Sequence, residues 1–260
     1  MNISDMTLSS RVQTYFNRIG YELDRSATPY KLLCDLQYAH VTTVPYENLD
    51  ILRRRPLSLD ADALYEKIVL NKRGGYCFEL NALYCSLLKE LGFEVHSHFA
   101  RYLRGEQEEI PMRRHRILRV EGEECDYICD VGIANMAPRH PLKLIVGEEQ
   151  QQFGECYKIE QEPFFGYVVY LKYADKWERF YSFTLEEETE VDFVATSFYL
   201  EHSDTSAFNK KEMVGIKTKN GRKTIDGKMF RVYDGKQMDI PIASEEMMHD
   251  LLEIHYGIKL

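Results

Sequence analysis

The period of the apolar residues changes once along this chain, at Gly92, and that change limits the folds open to it. Ahead of Gly92 the spacing is helical. Leu8, Val12, Tyr15, Phe16 and Ile19 mark one helix that stops at Gly20. Thr28-Pro29, a capping hydroxyl followed by proline, opens a second that carries Leu32, Leu33, Leu36 and Ala39. Asp60 to Asn71 predicts a third, and Leu80, Leu83, Tyr84, Leu87, Leu88 and Leu91 a fourth that begins at or near Cys77. From Val95 the period shifts toward two. Residues 96–103, 116–120, 127–131, 167–173 and 177–182 predict strands, joined by polar turns such as Gly105-Glu106-Gln107 and Glu121-Gly122. The acidic run 186–190 predicts a solvated connector and a boundary. Beyond it, Met213–Thr218 and Lys228–Val232 flank the turn Lys219-Asn220-Gly221-Arg222 as a hairpin, and Ser244 caps a last helix over Glu245–Tyr256. The expectation is an α+β protein: helices over 1–92, a β domain over 93–190, and a small α/β unit over 191–260.

Composition narrows the function. With 44% hydrophobic and 29% charged residues the chain is an ordinary globular one, and its 260 residues can bury a sizeable core. No stretch approaches the run of about 18 apolar residues a membrane helix needs. The opening MNISDMTLSSRVQTYF has neither a basic n-region nor an apolar h-region, so the expected location is cytoplasmic. Six cysteines are too sparse for a disulfide framework. A formal net charge of −9 argues against nucleic-acid and anionic-membrane partners, and makes any anionic cosubstrate depend on a local basic patch.

One cysteine stands apart. In Arg73-Gly74-Gly75-Tyr76-Cys77, two glycines allow a sharp turn directly before a helix. A thiol at a helix N-terminus meets unpaired N–H groups and the positive end of the macrodipole, both of which favour thiolate. A capping, inert thiol is the commoner fate of a cysteine, but the glycines, the helix start and Arg73 together favour a nucleophile. Cys85, mid-helix, is expected in the core.

A nucleophilic thiol needs a base, and the base an orienting group. His96 and His98 form an H-x-H pair with no third ligand at metal spacing, so strand packing is expected of them; Cys125 and Cys129 likewise predict strand thiols, and no metal is expected. His115 begins an apolar strand, and the next strand ends in Asp130, within side-chain reach across an antiparallel pair. Asp130 lies in an apolar segment and must be partnered, either by His115 or in an ion pair with Arg116 or Arg119; both stay open. Glu47 and Asn48 in 44–49 are a polar pair that either caps a loop or braces Arg73.

These residues resemble the arylamine N-acetyltransferases. RGGYCFELN at 73–81, VPYENLDI at 44–51, RPLSLDADALYEKIV at 55–69, His115-Arg116 before an apolar strand, and DVG at 130–132 followed by Pro138 and Pro141-Leu142 match the family's motifs in order. The segment HSDTSAFNKKEMVGIKTKNGRKTIDG at 202–227 is similar to its third region. The resemblance implies a helical domain and a β-barrel related to the cysteine-protease and transglutaminase core, covered by an α/β lid. It implies acetyl transfer from acetyl-CoA to arylamines, hydrazines or arylhydroxylamines, with Cys77, His115 and Asp130 at the triad positions. An amide-forming or hydrolytic enzyme on the same core is the alternative. Where the family carries an aromatic residue and small glycines after DVG, this chain has Ile133-Ala134-Asn135. Ile133, Ala134 and Phe78 are therefore expected at the acceptor pocket. Arg139 and Lys143, with the turn Lys217–Lys223, are expected against the coenzyme's phosphates, and Arg73 and Glu47 as structural support.

Overall fold

The computed structural model describes residues 3–105 and 109–260; Glu106 and Gln107 of the expected polar turn lie outside them. Helix α1 (Ser10–Ile19) opens where the Ser9 hydroxyl accepts from the Val12 N–H and closes on Gly20 in the left-handed conformation. Helix α2 (Pro29–Thr43) is capped by Thr28, with proline at its first position. A two-residue strand, β1 (Tyr46–Glu47), and a single turn, α3 (Leu49–Leu52), follow. The helix expected over 60–71 is regular only in α4 (Ala61–Leu64) and widens to π geometry over Tyr65–Leu70. Helix α5 (Cys77–Glu90) is buried along nearly its whole length, which is why its apolar residues outnumber a single stripe.

Among the described residues eight antiparallel strands form a nearly closed barrel. They are β2 (Val95–Tyr102), β3 (His115–Val120), β4 (Tyr127–Cys129), β5 (Leu142–Lys143), β6 (Gln150–Gln152), β7 (Glu155–Glu162), β8 (Gly166–Tyr173) and β9 (Lys176–Phe183), in the order β5-β4-β3-β2-β9-β8-β7-β6. The gap between the end strands is bridged by side-chain amides that imitate backbone. Gln150 accepts from the Lys143 N–H and donates to the Lys143 carbonyl, at 2.7 and 2.9 Å, and Gln152 does the same for His140 at 2.7 and 3.1 Å. Strand β4 stops two residues short of the expected Val131. There the backbone N–H groups leave the ladder: Val131 donates to Asn81 Oδ1 and Gly132 to Asp130 Oδ1.

The acidic run is no free connector. Glu190 grips Arg116 through both carboxylate oxygens, at 2.6 and 2.5 Å, and Arg116 is fully buried against the Phe193 ring. Glu188 accepts from the Phe99 N–H, and His98 bonds the Glu186 carbonyl. Helix α6 (Asp192–His202) comes next, and its Phe193 and Leu200 pack into the same core as α5 and the barrel.

The C-terminal sheet is β1-β10-β11-β12-β13, with β10 (Met213–Lys217), β11 (Arg222–Asp226), β12 (Met229–Asp234) and β13 (Lys236–Pro241), backed by α7 (Glu245–Tyr256). The hairpin partner of β10 is Arg222–Asp226, not the Lys228–Val232 segment expected from the sequence, because the turn closes as soon as Gly221 is passed. Residue Tyr46 pairs with Gly215, so the N-terminal strand is an edge of the C-terminal sheet. A buried clasp holds that sheet to the barrel. Glu155 on β7 receives Lys217 at 2.5 Å and Arg139 at 3.0 Å, while Arg139 also donates to the carbonyls of Thr218 and Gly221. Replacing Arg139 by Met strands those acceptors, and loss of about 2–4 kcal/mol is expected in urea unfolding. A change below about 0.5 kcal/mol would show that the clasp carries no load.

Candidate active site

The start of α5 is set by close backbone contacts. A side chain on Gly74 would put its Cβ 2.1 Å from the Pro45 carbonyl oxygen, and one on Gly75 would meet Glu79 at 2.9 Å. Only glycine lets 73–75 lie against β1, where Glu47 donates its N–H to the Gly75 carbonyl at 2.9 Å. Glu79 turns back to accept from the Tyr76 N–H at 3.1 Å, and Lys67 neutralises it at 2.8 Å. Arg73 is held by two carboxylates. It forms an ion pair with Glu47 at 2.6 Å and Asp50 at 3.1 Å, while Glu47's other oxygen accepts from the Leu49 N–H. Glu47 thus both caps a loop and braces Arg73.

That scaffold presents Cys77 as the first residue of α5, 3% exposed, with its Sγ 3.7 Å from the Arg114 carbonyl oxygen. Gly132 lies against it so closely that a Cβ there would sit 2.8 Å from the Cys77 Cα. His115 opens β3 opposite Ala100. Continuing the β3–β4 register sets Asp130 across from Ile117, diagonal to His115 on one face. The His115 Nε2 meets Asp130 Oδ2 at 2.7 Å, and the Cys77 sulfur is within electrostatic reach of the ring. Neither Arg116 nor Arg119 takes Asp130, since they pair with Glu190 and Asp126.

Asp130 is fully buried, and its second oxygen is satisfied by Asn81 Nδ2 at 3.1 Å and the Gly132 N–H at 2.8 Å. Asn81 stands one helical turn after Cys77 on α5 and also donates to the Arg116 carbonyl at 2.6 Å. From α2, Gln37 accepts from the Asp130 N–H at 3.3 Å and donates to the Pro138 carbonyl at 2.8 Å. Tyr181 sets its buried ring edge-on against His115, centroids 6.0 Å apart. None of these three emerged from the sequence. The one available signal was for Asn81: a polar residue at i+4 from Cys77, on the same face of a helix rich in apolar residues.

Burial by itself would push the His115 imidazole down, but the Asp130 carboxylate and the Cys77 sulfur outweigh it and raise it to about 10. The ring is therefore an imidazolium at neutral pH, with Asp130 on Nε2 and the Cys77 sulfur in electrostatic reach.

Not all expected residues join this centre. Ile133 and Ala134 follow Gly132 directly, and Ala134 packs under β10, where a Cβ on Gly215 would meet the Ala134 Cβ at 3.2 Å. Ala134 adopts φ 38°, a left-handed conformation that costs a residue with a Cβ about 1 kcal/mol. Phe78 is fully buried behind the site, edge-on to Phe193 and Phe99. Arg139 is 2% exposed with its donors used in the clasp, and Lys217 is 1% exposed on Glu155, so neither offers a face to a phosphate. Lys143 keeps a half-exposed ammonium at 4.0 Å from Glu148.

A thiol, an imidazolium and a carboxylate in this order are the arrangement of nucleophilic cysteine enzymes. Comparison with known proteins agrees. The family model for N-acetyltransferases matches residues 31–260. The arylamine N-acetyltransferase / N-hydroxyarylamine O-acetyltransferase of Salmonella typhimurium is 30% identical over 254 residues, covering 96% of this chain and 90% of the relative. A solved arylamine N-acetyltransferase from that organism superposes with a TM-score of 0.92 over 97% of this chain and 92% of its own. The Mycobacterium marinum enzyme in complex with CoA gives 0.89 at 30% identity, over 95% and 92% of the two chains. A Bacillus cereus relative, 26% identical with a TM-score of 0.88 over 97% of this chain and all of its own, is described with a Cys-His-Glu triad; this chain has Asp130. The chain belongs to the arylamine N-acetyltransferase family.

The raised His115 has a testable sign. Folding increases the ring's hold on its proton, so the pair adds stability that is complete below about pH 6.5 and is lost as pH rises toward about 10. In 15N NMR both ring nitrogens should be protonated at about pH 8, and Asp130→Asn should bring the titration down and flatten the alkaline dependence of stability. A wild-type ring that loses its proton near pH 6.5 contradicts the assignment.

Proposed function

We propose that this acetyltransferase moves an acetyl group from acetyl-CoA to an arylamine, hydrazine or arylhydroxylamine through an acetyl-Cys77 intermediate. The observation that carries the proposal is the buried arrangement of Cys77 at the start of α5 with His115, whose Nε2 meets Asp130 at 2.7 Å. The Cys77 thiolate attacks the thioester carbonyl, forming an S–C bond and an oxyanion. N–H groups at the start of α5, including that of Cys77, are oriented toward that charge by the helix. The oxyanion collapses, the bond to the coenzyme sulfur breaks, and the His115 proton goes to the departing thiolate. Thioester has replaced thioester, so the step is close to balanced. The amine then attacks the acetyl-cysteine, the now neutral His115 takes the amine's proton, and the Cys77 thiolate leaves. The imidazolium is restored and Asp130 has held one tautomer throughout.

A relative of known structure binds CoA, which supports CoA as the carrier of the acetyl group. Of the basic residues expected against its phosphates, Lys143 and the exposed Lys219 remain available, and Ile133 and Ala134, which follow Gly132, are the residues assigned to the acceptor side, with Phe78 fully buried. The near-complete enclosure of Cys77 favours amine over water as the acyl acceptor, because a thioester open to solvent hydrolyses.

Acetyl-CoA supplied alone should add one acetyl group to Cys77, read by mass spectrometry, and steady-state data with an amine should give parallel double-reciprocal lines. Cys77→Ser should fold and lose activity by about a thousandfold or more. Intersecting lines with no acyl-enzyme would overturn the proposal, and rapid CoA release without amine would identify a hydrolase.

A further inference from the structure

Five charged side chains lie around the turn that leads to the nucleophile, and their signs do not cancel. Lys67, in the π-helical stretch Tyr65–Leu70, donates to Glu79 and to Asp50, both at 2.8 Å. Arg73 donates to Glu47 at 2.6 Å and to Asp50 at 3.1 Å. Three carboxylates thus share two cations, and no side chain of the five is more than 17% exposed. A third cation, Arg55, approaches from the surface but reaches Asp50 alone, at 3.7 Å. An excess charge this deep is costly, and taking up a proton is the direct way to relieve it.

The partners decide which carboxylate takes that proton. Asp50 has three cations near it, and Glu47 has two Arg73 donors and the Leu49 N–H. Glu79 has Lys67 as its one cation and shares it. Burial, with Glu47 adding to it, pushes the Glu79 carboxyl up to about 7 against the pull of Lys67 and of the Tyr76 N–H. The phenols of Tyr46 and Tyr76 complete the titratable groups that feel its charge.

Glu79 also touches the machinery of the reaction at one remove. From the first turn of α5 its Oε2 reaches back to the N–H of Tyr76, the residue directly before Cys77, and Gly75 packs on its side chain. The far end of Tyr76 is tied to α6, where its hydroxyl meets the Ser197 Oγ. With the hydroxyl anchored, the carboxylate is what holds the backbone end of Tyr76. A neutral carboxyl accepts about half as strongly as a charged one, so protonation slackens the hold on both Tyr76 and Lys67.

We propose that Glu79 is a positioning residue for acyl transfer: its ionised form fixes Tyr76 and so sets Cys77 for attack, and proton uptake there slows acetylation of Cys77. This rests on the acetyl-cysteine mechanism above.

The test follows the rate at which acetyl-CoA acetylates Cys77 from about pH 5.5 to about 8.5, by quenching and mass spectrometry. It compares wild type, Glu79→Gln and Lys67→Gln, with circular dichroism as the folding control. His115 keeps its proton across this range and adds no limb of its own. In wild type the maximal rate should fall about tenfold toward acid with a midpoint at about 7, while the acetyl-CoA concentration at half-maximal rate stays constant. Glu79→Gln, a permanent stand-in for the protonated acid, should run flat at the acid-side rate. Lys67→Gln should move the midpoint upward, because the carboxylate loses its counter-charge. A limb that persists in Glu79→Gln belongs to another group and overturns the proposal. So does a flat wild-type profile, or one that rises toward acid. An unmoved midpoint in Lys67→Gln overturns it whether or not Glu79→Gln folds. A wild type that forms no acetyl-Cys77 at any pH would overturn the transfer mechanism and the proposal with it.

Discussion

A carboxylate with no solvent exposure is the constraint around which this molecule is arranged. Asp130 leaves its strand at the point where its charge has to be satisfied, and the groups that satisfy it come from three places: His115 from the barrel, Asn81 from α5, and the Gly132 N–H from the turn that follows. An unpartnered charge at such a site would cost several kcal/mol. The helical and barrel regions therefore cannot shift against one another without exposing that cost. The same contacts bring the first residue of α5 beside the imidazole, so one set of hydrogen bonds both joins two layers and assembles the chemistry.

Further charge pairs extend this logic outward. Arg73 with Glu47 and Asp50 fixes the turn before α5, and the glycines at 74 and 75 are needed because the turn runs directly over β1. β1 is itself an edge of the C-terminal sheet, so the strand that seats the turn before Cys77 also belongs to that sheet. Glu155 with Lys217 and Arg139 ties that sheet to the barrel. Deep charges here are spent on relative placement of elements, a role in which removing one partner matters more than the pair's net contribution.

The local signals in the sequence were the dependable ones. Two glycines, a helix start and a thiol are contiguous, and the strand spacing from His115 to Asp130 follows from period two. What needed three dimensions was hidden for definable reasons. Gln37 and Tyr181 lie on elements whose apolar patterns explain their presence without any role, and they reach the site only by packing. Arg139 has the chemistry of a phosphate ligand, and nothing in its neighbours reveals that carbonyls of a turn some 80 residues later take its donors. Strands β6 and β7 were not visible because charged and amide residues dominate them, with Tyr157 and Ile159 the fully buried positions of β7. The acidic run looked solvated by composition, yet its last carboxylate secures a fully buried arginine.

Asn81 and Asp130 act as one unit, and a double-mutant cycle on the rate of Cys77 acetylation by acetyl-CoA measures that directly. If Asn81 works by holding the carboxylate, Asn81→Ala should slow acetylation on its own but add less than about twofold once Asp130 is already Asn. If the two losses multiply, Asn81 acts elsewhere, and the buried carboxylate is not what couples the helix to the chemistry.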